Sequence, residues 1–414
     1  MRAYTLYFEL PSCVCEMADN PITAFVRLRP LSDSERERGE ESAWRVRGTV
    51  LKLRREALQR EGRADWLADS EYAFNAVFGE GASTADVYTR AAENALPAFI
   101  RGENCTILAY GQTASGKSFS MLGDAAIPGI GAGPGLVGLA IEDVLRRLAS
   151  SSTTRRHKVS LSCLEVYNEQ CNDLLAPELT NLKLFERADG VLVSGLSEYN
   201  FGLGSVAEDT EKLTVLLRTA ERQRHVGSTL SNDRSSRSHL LCMLTVDSWV
   251  APASAGEVAP AGVQHCTLQL VDLAGSERRQ AASDHQGHEG ATINKSLLTL
   301  STIIHRLSEL PPASAYATAT TPSTPSTPSR HLPFRDSKLT RLLQPCLGGA
   351  AHAVVVATIR PSASCVDETL ATLRFAVRAQ RVFNAPSSAE GPQASAAHTH
   401  THTHTHAHTH THTH

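Results

Sequence analysis

No run of about 18 apolar residues, the length a membrane-spanning helix requires, occurs in the chain, so no span is expected. A secretory signal is missing too: MRAYTLYFELPSCVC has no proper apolar core segment and carries Glu9. Nine cysteines are scattered without C-x-x-C or His/Cys metal spacing, and Cys13 and Cys15 stand too close for an easy bridge. They read as buried or free thiols of a reducing cytosol. Charge of one sign is also lacking. A formal net charge of −3 denies the molecule overall attraction for a polyanion, so nucleic acid is not indicated and an acidic partner must meet a local basic patch. No heptad run appears, which excludes a coiled coil and oligomerisation through one.

What is present is globular: 41% of residues are apolar and 20% charged, enough for a large core in 414 residues. From ITAFVRLRP (22–30) to LRFAVRAQRVF (373–383), apolar strand-like runs alternate with amphipathic helices. The strand-like runs include 158–167, 240–248, 266–273 and 352–359; the helical ones include 138–149, 206–224 and 294–310. That alternation predicts one α/β domain over 21–384 around a central sheet, parallel in good part. Residues 1–20 read as an irregular leader. The Pro/Thr/Ser-rich segment 311–330 is expected to be a disordered insertion, and 385–414 a low-complexity tail. The tail's alternating His and Thr could chelate metal as a purification tag does, but repeat expansion explains it better than a metalloenzyme site.

Three segments carry chemistry. GQTASGKS, after the apolar run TILAY, fits the phosphate-binding G-x-x-x-x-G-K-[ST] pattern with Gly111, Gly116, Lys117 and Ser118 at its fixed positions. Its backbone N–H groups, from Gly111 through Gln112, Thr113, Ala114 and Ser115, turn toward phosphate oxygens. Lys117 reaches the β- and γ-phosphates and the Ser118 hydroxyl ligates Mg²⁺. Taken alone, the octet could also be a Gly/Ser turn with an exposed lysine. LQLVDLAGSER ends a strand at Asp272, the position that holds Mg²⁺ through water, and Gly275 can offer its N–H to a γ-phosphate. NDRSSRSH (232–239) is an ordinary polar turn in isolation.

Together, in this order, the three resemble the kinesin motor domain, and the resemblance runs from about residue 20 to 384. RLRP (27–30), YAFNAVFG (72–79), SCLEVYNEQCNDLL (162–175), NKSLLTLSTII, HLPFRDSKLTRLLQPCLGG (331–349) and ETLATLRFAVRAQRV (368–382) are similar to further family signatures. YGQTASGK, RHVGST and ERADGVLVSGL are similar to the subfamily of the centromere-associated motor E. The resemblance implies a P-loop NTPase fold: a mostly parallel or mixed eight-stranded sheet with helices on both faces. It also implies ATP and Mg²⁺ as ligands, hydrolysis of ATP, microtubules as partner, and a place in the cytoplasm on the cytoskeleton. By position, Arg27, Arg29 and Pro30 flank the adenine with Phe119 nearby, and Asn232 contacts the nucleotide. Ser118 and Ser236 coordinate Mg²⁺, with Asp272 behind a water. Arg237 and Glu277 bridge the two switches, while Ser235 and Glu277 position the attacking water. NKSLLTLSTIIHRLSEL looks like the relay helix, apolar at Leu297, Leu300, Ile304 and Leu307. Arg335, Lys338 and Arg341, three residues apart on one side of a helical turn, are the expected tubulin contacts.

Departures from the pattern bear on motility. RQAASDHQGHEGAT (279–292), before the relay helix, looks about two residues shorter than the family usually shows. It has His285, His288 and Glu289 where a basic pair is common. After Val382, FNAPSSAEGPQ begins like a neck linker, but Pro386 fits strand docking poorly. Two readings follow: a microtubule-stimulated ATPase producing movement or force, and a nucleotide-gated microtubule binder with little motility. A P-loop GTPase is the weaker third, since no N-K-x-D stands in a guanine-reading position.

Overall fold

The computed structural model describes residues 20–60, 70–123, 133–150, 155–187, 190–225, 234–250, 263–277, 286–310 and 332–384. Its centre is a sheet of β1 (Thr23–Leu28), β2 (Ala76–Phe78), β3 (Cys105–Tyr110), β4 (Arg155–Tyr167), β5 (Gln170–Asp173), β6 (Tyr199–Phe201), β7 (His239–Val250), β8 (Gln264–Asp272) and β9 (His352–Ile359). Eight run in the order β6-β4-β7-β8-β3-β9-β1-β2, and the short β5 pairs with β4 off that path. The expected eight strands make up that path, and a short ninth joins beside it: the chain reverses at Asn168–Glu169, both at positive φ, and QCND folds back on the strand it follows.

Neighbours from β8 through β3, β9 and β1 to β2 are parallel; those from β8 through β7 and β4 to β6 are antiparallel. This mixture positions the site. Parallel β3 and β8 end side by side, with Ala109 opposite Asp272. Antiparallel β7 starts where β8 ends, with Leu240 opposite Asp272. The segments after β3, after β8 and before β7 therefore converge at one edge.

Central strands are apolar on both sides because helices cover both faces. Along β9, Val354 and Val356 join one core, while Ala353, Val355 and Ala357 join the other. The first core is packed by α1 (Thr84–Ile100), α2 (Lys117–Leu122), α3 (Leu136–Ala149) and α4 (Val206–His225). The second is packed by α5 (Gln286–Ser308), α6 (Lys338–Leu342) and α7 (Val366–Ala379). On α5, Leu297, Leu300, Ile304 and Leu307 are buried as their spacing predicts, and Leu298 is exposed. That helix begins at Gln286, inside the stretch expected to be loop. His288 and Glu289 lie on its first turns between Gly287 and Gly290, two glycines of low helix propensity that make the stretch read as loop.

The other ends of the motor-like segment meet as well. Phe383–Asn384 pairs antiparallel with Asn20–Pro21, and the Asn384 side chain bonds Gly348 N, Cys346 O and Ala351 O. The start of the expected neck linker is anchored; Pro386, residues 1–19, the 311–330 insertion and the 385–414 tail lie outside the described residues.

Candidate nucleotide site

The GQTASGKS loop leaves β3 and enters α2 through Gly116, whose φ of +98° suits a residue without a Cβ. A cleft of about 500 Å³ opens over it, lined by Thr113 to Ser120, by Arg27, Arg29 and Pro30, and by Glu80, Ala82, Glu221, His225 and Ser236. Lys117 is buried, not exposed as an incidental turn lysine would be. Its Nζ donates to Gln112 O at 2.8 Å. Burial pushes its pKa down to about 8, against the opposing pull of Asp272 and Glu277.

Asp272 joins three segments. Its Oδ2 accepts from Ser118 Oγ at 2.6 Å and from Arg224 Nη1 at 2.7 Å. Its Oδ1 is buried with no hydrogen-bond partner. Arg224, at the end of α4, is itself fully buried and also bonds Ser238 Oγ and Ser238 O. Burial opposes the guanidinium's charge, but Asp272 and Glu221 outweigh it and raise its pKa.

Beyond Asp272 the DLAG segment is laced to both other loops. Gly275 N donates to Ser236 O, and Ser276 N donates to Gly111 O, each at 3.0 Å. Glu277 accepts from Thr113 N at 2.7 Å and from Thr113 Oγ1 at 2.6 Å. Burial favours protonating that carboxyl, yet the Thr113 bonds prevail and its pKa is lowered. A Cβ on Gly275 would collide with Thr113 Oγ1 and the Glu277 carboxylate, so the close approach requires glycine. In this conformation the Gly275 N–H is taken by Ser236, and both Glu277 oxygens are held by Thr113.

At the far wall, Arg27 stacks over the Phe119 ring at 5.1 Å and donates to Thr84 Oγ1 and Ser120 Oγ. Arg29 donates to Ala114 O at 2.7 Å and forks onto Glu35. Both arginines thus build the wall of the cleft and the loop's posture. Ser115 Oγ pairs with Thr358 Oγ1 at 2.7 Å, fixing the loop to β9.

Of the residues expected from sequence, those of 111–119 line or shape one cleft with Arg27, Arg29, Pro30, Ser236, Asp272, Gly275 and Glu277. Arg237 is buried on the turn Arg234–Arg237 beside them. Asn232 lies outside the described residues, and of Ser235 only the backbone turn is described. Sequence reasoning missed Arg224, Glu221, Glu35 and Thr358. A signal for Arg224 did exist: Leu213, Leu217, Ala220 and Arg224 share the buried stripe of α4, and an arginine there needs a buried partner.

The basic triad is organised differently from expectation. Arg335 sits on the 3₁₀ turn Phe334–Asp336, and Ser337, extended at φ −143°, separates it from α6 with Lys338 and Arg341. The three do not share one helix. Glu186, on the hairpin Leu184–Arg187/Gly190–Val193, takes Arg335 bidentately at 3.0 and 2.7 Å and approaches Arg341 at 3.6 Å. Lys338 Nζ contacts Asn181 Oδ1. Glu169, from the SCLEVYNEQ segment, accepts from Ser337 Oγ and Lys338 N and so seats the helix start.

The chemistry of the donor set suits a magnesium nucleotide. Asp272 Oδ1 is a buried carboxylate oxygen left over, Ser118 bonds the other oxygen of that carboxylate, and Ser118 and Ser236 both line the cleft. Among the described residues no helix is long and apolar enough to cross a membrane, and no cluster of His, Cys, Asp and Glu could hold a metal by itself. The seven described cysteines are unpaired in disulfides, and burial raises the thiol pKa of Cys171 to about 11 and of Cys266 and Cys346 to about 12.

A P-loop with a strand-end aspartate and a polar turn closing on it defines a nucleotide-binding P-loop protein. The kinesin motor domain model matches residues 27–382, and the chain belongs to that family. It is 40% identical over 362 residues to Kinesin-like protein KIN-7D, mitochondrial, of Arabidopsis thaliana, covering 87% of this chain and 30% of that protein. Kinesin-related protein 4 of Dictyostelium discoideum is 35% identical over 367 residues, covering 87% of this chain and 17% of its own length. The chain therefore spans less than a third of these relatives. The structure described as that of a fast kinesin, with implications for ATPase mechanism and interactions with microtubules, superposes with a TM-score of 0.73 at 29% identity. It covers 93% of this chain and 100% of the other.

Proposed function

We propose that this chain binds Mg²⁺-ATP in the cleft, hydrolyses it, and couples hydrolysis to force or movement on microtubules. The observation that carries the proposal is the double attachment of the DLAG segment to the P-loop, Asp272 to Ser118 and Glu277 to Thr113. A group arriving between these loops must change those bonds, and α5 is the next described element along the chain. In the bound state Lys117 neutralises phosphate charge. Ser118 and Ser236 would hold the metal, with Asp272 behind a water, and the metal would supply electrostatic stabilisation of the transferring phosphoryl group. Glu277, released from Thr113, pairs with Arg237 and with Ser235 orients the attacking water; Gly275 N turns from Ser236 to the γ-phosphate. Arg27, Arg29, Pro30 and Phe119 border the adenine, and Asn232 lies on the nucleotide side. Arg335, Lys338 and Arg341 meet acidic tubulin, on which the chain localises. Several similar relatives carry KIN-7 names, in keeping with the motor-E-like motifs, and we place the chain in that branch.

A second reading, nucleotide-gated microtubule binding with little motility, is favoured by the commitment of Arg335 and Arg341 to Glu186. ATP turnover with and without microtubules, followed by gliding on a coated surface, separates them. Stimulated turnover with gliding is expected; binding without stimulation supports the second reading, and preference for GTP removes both.

A further inference from the structure

The His of NDRSSRSH has no part in the chemistry above, yet it is buried at the junction the proposed function needs. His239 opens β7, with Ser238 alone separating it from the Arg234–Arg237 turn. Its Nδ1 accepts from Ala274 N at 2.9 Å, one residue before Gly275. Its Nε2 lies 2.8 Å from Ser296 Oγ on α5. The backbone N–H of Ala274 can only donate, so Nδ1 is the bare nitrogen. A neutral ring then carries its proton on Nε2, which donates to Ser296. Burial, with the positive charges of Arg224 and Lys117, keeps the ring neutral. One rigid plane thus links the segment after β8 to α5, where Ser296 directly precedes the core residue Leu297.

We propose that His239 is a positioning residue that transmits the state of the nucleotide cleft to α5, through Ala274 N–H on one nitrogen and Ser296 Oγ on the other. This rests on the reading of the cleft as a nucleotide site that drives α5. Movement of Ala274 and Gly275 displaces the imidazole, and the Ser296 bond carries that displacement into the helix. His239 touches no reacting atom; its effect is on coupling.

The test uses the full chain with Ser296→Ala and His239→Asn, the latter keeping an acceptor for Ala274 but losing reach to Ser296. Amide hydrogen exchange of 295–308 is compared between the ADP form and a non-hydrolysable ATP analogue, without microtubules. In the wild type the two forms differ. In both variants nucleotide affinity and basal turnover stay within about threefold, while the nucleotide-dependent difference in exchange shrinks by about tenfold, what one buried hydrogen bond supplies. A merely structural role would raise exchange equally in both nucleotide states. Should His239→Asn fail to fold, Ser296→Ala decides alone. An undiminished difference in Ser296→Ala, or no difference in the wild type, overturns the proposal. Microtubule co-sedimentation run in parallel separates this from the motor reading: nucleotide-independent affinity in the wild type sinks that reading, while the exchange result still judges His239.

Discussion

In the nucleotide cleft the functional side chains are buried or half-buried and each is held by a partner: Lys117 by Gln112, Ser118 and Arg224 by Asp272, Glu277 by Thr113. On the basic face, Arg335 lies in the open and its partner Glu186 is also exposed. Inside, low dielectric and excluded water make each bond costly to break from one side. Outside, solvent and salt screen the same charges, and geometry alone says little of strength. The two regions should therefore respond to substitution on very different scales.

The largest effect is expected in the cleft. Lys117→Ala should lower nucleotide affinity by at least about 100-fold, since a buried ammonium on phosphate oxygens is a charge-assisted contact. Equilibrium binding of a fluorescent ATP analogue measures it; a change below threefold would place the phosphates elsewhere. Arg224→Ala leaves Asp272 buried beside Ser118 without its countercharge and should cost about 3–5 kcal/mol of stability. Urea unfolding checks this, and a loss under about 1 kcal/mol would make the pair incidental.

A smaller, pH-dependent effect comes from His239. Its pKa falls from 6.5 to about 3 on folding, so between those values the unfolded chain binds the extra proton. The stability that neutral His239 contributes is present above the unfolded value and is lost as pH falls through this window, at up to about 1.4 kcal/mol per pH unit. Urea midpoints of wild type and His239→Asn from pH 7 downwards should diverge in slope, the variant being flatter; parallel curves would refute a neutral buried ring.

The smallest effect on the folded state belongs to the basic face. Glu186→Gln should leave the unfolding midpoint unchanged while strengthening microtubule co-sedimentation at low salt, because Arg335 and Arg341 lose a competing carboxylate. Unchanged co-sedimentation, with Lys338→Glu equally silent, would remove this face from the interface.

The same contrast explains what could be read beforehand. Phosphate cradles demand particular residues at particular spacing, so 111–118 and Asp272 stand out by identity alone. Covered strands such as β9 show as apolar runs, and the stripe of Leu297, Leu300, Ile304 and Leu307 announces a packed helix. Hidden were pairings between distant segments: Arg224 with Asp272, 48 residues apart, and Arg335 with Glu186, 149 apart. Nothing local in an arginine names its partner. Nor did local pattern show the backward extension of α5 to Gln286, because polar residues of a first helical turn look like those of a loop.

The central claim is that the occupant of the cleft sets the posture of α5 against a microtubule. Its most direct test is co-sedimentation of the purified chain when nucleotide-free, loaded with ADP, and loaded with a non-hydrolysable ATP analogue. The account predicts weak binding with ADP and binding at least about tenfold tighter in the other two states, within the usual range of coupling energies. Equal affinity in all three would contradict it.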